Sequence, residues 1–161
     1  MLLLPRLLVA VVLGAVAVSP LASAENDGSH AAAIVNVAFN KKLKKSILVD
    51  RRGRTLYVYL YDYRGRSACY DDPRFHCSQA WFPLRTTSAP HAGPGARASL
   101  LGVSRRTDGI TQVTYNSRPL YTDEGPNKIG LIADKKAGDV NGQGFGGLWY
   151  VISPKGKPIE H

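Results

Sequence analysis

Tyr57, Tyr59, Tyr61 and Tyr63 recur at every second position, so an extended chain would carry all four rings on one face. Half of the eight tyrosines would form one aromatic row, with same-face neighbours roughly 6.5–7 Å apart. Such a row suits a glycan or another flat ligand, because the rings stack while the hydroxyls hydrogen-bond. The plainer reading packs both faces of the strand and leaves only the hydroxyls at a rim, since strands use tyrosine heavily. Trp81 and Trp149 add the other large rings and fall in or beside long loops.

A second group is Asp139-x-Asn141-x-Gln143-Gly144. Oxygen-bearing side chains at alternate positions, with glycine for a sharp bend, are what a calcium ion needs. Tyr150 stands where an EF-hand has its bidentate glutamate, so the motif is incomplete. The competing reading is a glycine-rich turn capped by Asp and Asn. Transition-metal chemistry finds little support, because His30, His76, His91 and His161 are scattered and show no ligand spacing. The only methionine is Met1, which removes thioether ligands. Hydrolase motifs of the Gly-x-Ser-x-Gly and His-Glu-x-x-His types are missing from the sequence. Adjacent Asp71 and Asp72 would point apart, not into one cleft as a glycosidase pair must. No catalytic residue, metal site or cofactor is assigned.

Cys69 and Cys77 are the only cysteines, eight positions apart. In an exported chain they are expected to pair, closing a short loop worth about 2–3 kcal/mol. A reactive Cys77 thiolate beside His76 is the remote alternative, and an oxidising compartment works against it.

The elements that must position these residues are strands. Ile34–Phe39, Ile47–Val49, Thr55–Tyr63, Leu100–Ser104, Ile110–Tyr115, Leu120–Thr122, Leu148–Ile152 and a stub at Pro158–Ile159 read as extended, separated by Gly, Pro, Asn and Asp. A turn phrase recurs three times after apolar runs: Asp50 to Leu56, Thr114 to Leu120 and Ser153 to Ile159. No stretch carries a helical period. The expected fold is all-β: one compact domain of repeated antiparallel hairpins, with sandwich, barrel and propeller-like closure all open. Two long intervals, 64–97 and 123–147, interrupt it and are the expected sites of binding.

Bulk properties point outside the cytoplasm. Arg6, the apolar run Leu7 to Val18 and Ala22-Ser23-Ala24 form a secretory signal over residues 1–24. That leaves a flexible leader at 25–33, a β-repeat domain at 34–161 and no membrane span after processing. Of 21 basic residues only Arg6 would be lost, against 12 acidic ones, so the processed protein stays strongly basic. Outside the cytoplasm such charge favours anionic polymers, lipopolysaccharide or anionic lipid headgroups over nucleic acid, and the expected partner is an anionic envelope polymer, a glycan or an envelope protein. The bland reading is a solvated basic surface, since the clusters fall mostly at turns.

These residues also carry a resemblance. Tyr57-x-Tyr59-x-x-Asp62 resembles the Tyr-x-aromatic-x-x-Asp signature of the bacterial "secreted repeat of unknown function" family, also described as predicted lipoproteins. Ile47-Leu48-Val49-Asp50-x-x-Gly53-Arg54-Thr55-Leu56-Tyr57 is similar to its repeat opening, and Cys77-x-x-Ala80-Trp81-x-Pro83-Leu84 to its cysteine–tryptophan loop. Gly138-Asp139-x-Asn141-Gly142-Gln143-Gly144 through Trp149-Tyr150-Val151 resembles a later block, and the likeness runs over about residues 35–159. Three features depart from it. No lipid-acceptor cysteine follows residue 24, the cysteine loop is longer, and Tyr121-Thr122-Asp123 lacks the second aromatic. The resemblance implies an exported envelope protein, periplasmic or extracellular. The resulting expectation is a non-catalytic binding module, with a calcium or small-ligand site at 138–147 as the alternative.

Overall fold

The computed structural model describes residues 32–71, 76–125 and 132–160. The signal sequence expected at 1–24, most of the leader expected at 25–33, Asp72, and residues 126–131 of the second long interval lie outside the described residues.

The chain folds as a compact all-β domain whose described strands form three sheets without closing a barrel. Strands β1 (Ile34–Asn40) and β2 (Lys45–Asp50) make a hairpin, and β5 (His91–Ala92) adds to β1 in parallel. The central sheet has the order β10-β3-β9-β4, from Trp149–Val151, Tyr57–Tyr59, Tyr121–Asp123 and Trp81–Pro83. A third sheet joins β6 (Leu101–Arg105), β7 (Thr111–Tyr115) and β8 (Arg118–Pro119).

Side-chain alternation divides the interior into two clusters. Ile47 and Val49 join Tyr57, Trp81, Tyr121, Trp149 and Val151 in one core. Their in-between neighbours, Leu48, Leu56, Val58, Leu120 and Ile152, join Val35, Val113 and Tyr115 in the other. Because successive strand residues point to opposite faces, the same short strands feed both cores. That is why β2 is buried from Ile47 through Asp50.

The recurring phrase proves to be two kinds of turn. At Asp50 and Ser153 the backbone N–H donates to the carbonyl four residues on, and the glycine N–H at Gly53 or Gly156 donates back. Both glycines take positive φ, 78° and 75°, and the Asp50 or Ser153 side chain accepts the closing N–H. Arg106–Ile110 repeats this pattern with Gly109 at φ 83°, a copy hidden in the sequence because Arg106 replaces the oxygen-bearing first residue. The middle phrase is different. Tyr115 pairs directly with Arg118, and Asn116 and Ser117 both adopt left-handed backbone at φ 50° and 58°, making a two-residue hairpin turn.

Three further expectations need correction. The strand expected over Thr55–Tyr63 is regular only at Tyr57–Tyr59. After Leu60 donates to the Leu148 carbonyl, Asp62 N–H bends back to the Tyr59 carbonyl and the chain leaves the sheet. The interval 64–97 contains β4 and β5, too short to show a two-residue period in the sequence. It also holds one helical turn, α1 (Cys77–Ala80), where no helix was expected; a short 3₁₀ turn at Ala98–Leu100 precedes β6.

Both edges of the central sheet are closed. On the outer side of β10, Trp149 N–H donates to the Phe145 carbonyl and Val151 N–H to Gln143 Oε1, while Gly144 and Ile159 donate to the Trp149 and Val151 carbonyls. On β4, Trp81 N–H is held by the Cys77 carbonyl and Pro83 has no N–H to offer.

Candidate functional site

Three short strands bring the large rings together. Trp149 of β10 lies opposite Tyr59 of β3, and the two rings stack 4.4 Å apart at 15°. Trp149 in turn stacks on Trp81 of β4, 3.9 Å apart and 3° from parallel. Tyr57 meets Trp81 edge-on at 5.2 Å, and Tyr121 meets Trp149 edge-on at 5.1 Å. The result is a column Tyr59–Trp149–Trp81 braced from the side by two tyrosines, arrangements aromatic quadrupoles favour.

The glycine-rich segment wraps over this column. Gly142 packs where a Cβ would stand 2.5 Å from the Trp81 ring and 3.1 Å from Tyr57, so any side chain there would force the ring or the loop to shift. Gly144, Gly146 and Gly147 all take positive φ and carry the chain through successive turns into β10. Between this wrap and the column lies a cleft of about 150 Å³, lined by Tyr59, Trp81, Phe145, Leu148 and Trp149, with Cys77 and Gly146 at its wall. That volume matches one ring-sized group. Cys77 reaches the wall because it is bonded to Cys69, which is fully buried.

Of the residues singled out in the sequence, Tyr59, Trp81 and Trp149 converge on this cleft. Tyr57 sits behind it, buried, donating its hydroxyl to Asp134 Oδ2 at 2.7 Å. Asp62 lies elsewhere, accepting from Ala68 N–H at 2.7 Å and the Tyr121 hydroxyl at 2.9 Å. Tyr61 and Tyr63 stand 65% and 66% exposed; the Tyr61 ring meets Tyr59 edge-on at 5.4 Å and Tyr63 lies outside the column, so no four-ring row exists. Asp139, Asn141 and Gln143 frame the wrapping loop. Asp139 accepts from Lys135 and Lys136 N–H, Asn141 donates to the Ala133 carbonyl, and Gln143 bridges Ile159 and Val151. No cluster of three or more His, Cys, Asp or Glu suited to a metal occurs among the described residues.

Behind the column lie carboxylates that the sequence did not single out for this role. Asp123, opposite Trp81 in the β4–β9 ladder, is 1% exposed, and neither of its oxygens has a hydrogen-bond partner. Burial first, then the nearby Asp134 carboxylate, push its pKa up to about 7, against the pull of the Asp134 N–H, which donates to the Asp123 main-chain carbonyl. Burial likewise raises Asp134, against the hydrogen bonds from Tyr57 and Asn141, and lifts Asp62 to about 6. Arg106 was also missed, because Arg105-Arg106 reads as a surface basic pair. Its guanidinium is buried, donating to Asp108, Ser67 Oγ, Gln112 Oε1 and the Cys69 carbonyl and lying over the Tyr70 ring at 4.4 Å. The Asp108-Gly109 turn two residues on was the available signal, since that carboxylate offers Arg106 a partner.

Comparison with protein-family models, with curated proteins and with solved structures finds no match to this chain.

Proposed function

We propose that the protein is an exported, non-catalytic binding module of the cell envelope, and that the aromatic cleft takes the flat apolar face of a sugar ring in an envelope glycan or polymer. The observation that carries the reading is the column Tyr59–Trp149–Trp81 opening onto a ring-sized space. Stacking and dispersion are what its lining offers, and a column fixed by three strands presents them with little further loss of side-chain freedom. A disulfide suits an oxidising compartment, and no helix among the described residues is long and apolar enough to cross a membrane. Membership of the secreted-repeat family belongs to this same proposal and rests on the motif residues alone.

Retention on immobilised envelope polysaccharide tests the reading. Tyr59→Ala, which removes the partly exposed ring at the end of the column, is expected to abolish retention. Tyr63→Ala, an exposed ring outside the cleft, is expected to leave it intact. Equal retention of wild type and Tyr59→Ala would remove the cleft from the account.

A further inference from the structure

A second concavity lies away from the aromatic cleft, between the β1–β2 hairpin and the turn preceding Asp139. Its volume is about 450 Å³, within the range of small-molecule sites. Half-buried Ala38 forms its apolar floor, backed by the core residues Ile47, its direct ladder partner, and Val49 on the same face of the hairpin. The opposite wall is Gly53 and Ala137, packed so closely that a Cβ on Gly53 would stand 3.1 Å from the Ala137 methyl. Phe39, 65% exposed, borders the opening.

The rim has one sign of charge. Lys41, Lys42 and Lys136 all line the concavity, and Lys44 and Lys45 follow in the same hairpin. The one carboxylate in the lining, Asp139, is mostly buried and already accepts two backbone N–H groups; Lys42 Nζ reaches it only at 3.9 Å. An apolar floor beneath a lysine rim is complementary to a molecule with a hydrocarbon body and an anionic head.

We propose that this pocket binds a single-chain anionic amphiphile, with the hydrocarbon over Ala38 and against Phe39 and Ala137 and the carboxylate or phosphate head among Lys41, Lys42 and Lys136. The site is separate from the aromatic cleft and does not depend on glycan binding there.

The test is fluorescence titration of the full chain with 11-(dansylamino)undecanoate, followed by displacement with dodecyl phosphate and with dodecanol. Saturable binding at micromolar concentration is expected, with dodecyl phosphate displacing the probe at least tenfold better than the neutral alcohol. Ala137→Phe, which fills the pocket from an exposed position, is expected to weaken the probe at least tenfold. Lys41→Glu combined with Lys136→Glu is expected to weaken it at least fivefold, and Tyr59→Ala to leave it unchanged. Melting curves establish that each variant is folded. The proposal is overturned if the folded variants bind like wild type, or if the alcohol competes as well as the phosphate. Sedimentation with anionic phosphatidylglycerol vesicles without binding of monomeric probe would make this face a membrane-contact surface instead. A concentration-dependent dimer dissociated by Ala137→Phe would place a second copy in the pocket and equally overturn the proposal.

Discussion

Asp123→Asn should make the protein more stable at alkaline pH. In the folded chain this carboxyl is 1% exposed, lacks a hydrogen-bond partner and faces the neighbouring Asp134, so its pKa is pushed up to about 7. The unfolded chain releases the same proton near its ordinary value of 3.8. The folded state therefore holds a proton that the unfolded state has lost. Stability present in full below pH 3.8 falls as pH rises and is gone once pH passes about 7. Each tenfold difference in proton affinity amounts to about 1.4 kcal/mol, which sets a ceiling of about 4 kcal/mol over that interval. Water reaching the carboxylate through small relaxations lowers the expected effect to about 2 kcal/mol, or about 6 °C in melting midpoint for a domain of this size. The amide keeps the shape and carries no charge at any pH. Thermal melts of wild type and variant from pH 4.5 to 8.5 should therefore diverge upward. At pH 8 the variant should melt about 6 °C higher; at pH 4.5 the two should nearly coincide. Asp62 and Asp134, raised in the same direction, leave the variant a residual slope of the same sign. A variant no more stable than wild type at pH 8, or two parallel pH profiles, would refute the reasoning.

Two other substitutions probe the frame around the site. Gly142→Ala puts a methyl 2.5 Å from the Trp81 ring, so overpacking should cost about 2 kcal/mol and alter the near-ultraviolet dichroism of the stacked tryptophans; an unchanged melt and spectrum would show that the loop does not clamp the column. Ser117→Gly relieves a left-handed serine at φ 58° in the two-residue turn, and its denaturation midpoint should rise by the equivalent of about 0.5 kcal/mol, whereas a fall would mean the serine side chain has a stabilising contact there.

The parts of this fold that the sequence disclosed are those where local pattern and tertiary demand coincide. Hairpin β1–β2 announces itself by apolar runs on either side of a lysine-rich reversal, and Asp50 and Ser153 by an oxygen four residues ahead of the N–H they accept. The disulfide followed from compartment and cysteine count. Length was the obstacle elsewhere. Strands of two or three residues, such as β4 and β5, carry no readable period and exist because neighbours hold them. The tyrosine alternation misled for a related reason. It continues through Tyr63 in the sequence, but the ladder ends at Tyr59 once Asp62 turns to serve Ala68 and Tyr121. At the cleft, Tyr59, Trp81 and Trp149 stood out by residue type, yet their stacking joins positions up to 90 residues apart. The sequence offers Asp123 and Asp134 only as further oxygens near the glycine-rich loop, and nothing local announces that Asp123 is buried.

The closed borders of the central sheet decide how another molecule can be met. With Gln143 holding Val151 N–H on one flank and Pro83 ending the other, an incoming peptide finds no row of amide donors on which to align. Main-chain zippering onto this sheet is thereby denied both to ligands and to sister molecules. At the central sheet, recognition has to run through side chains and their shapes.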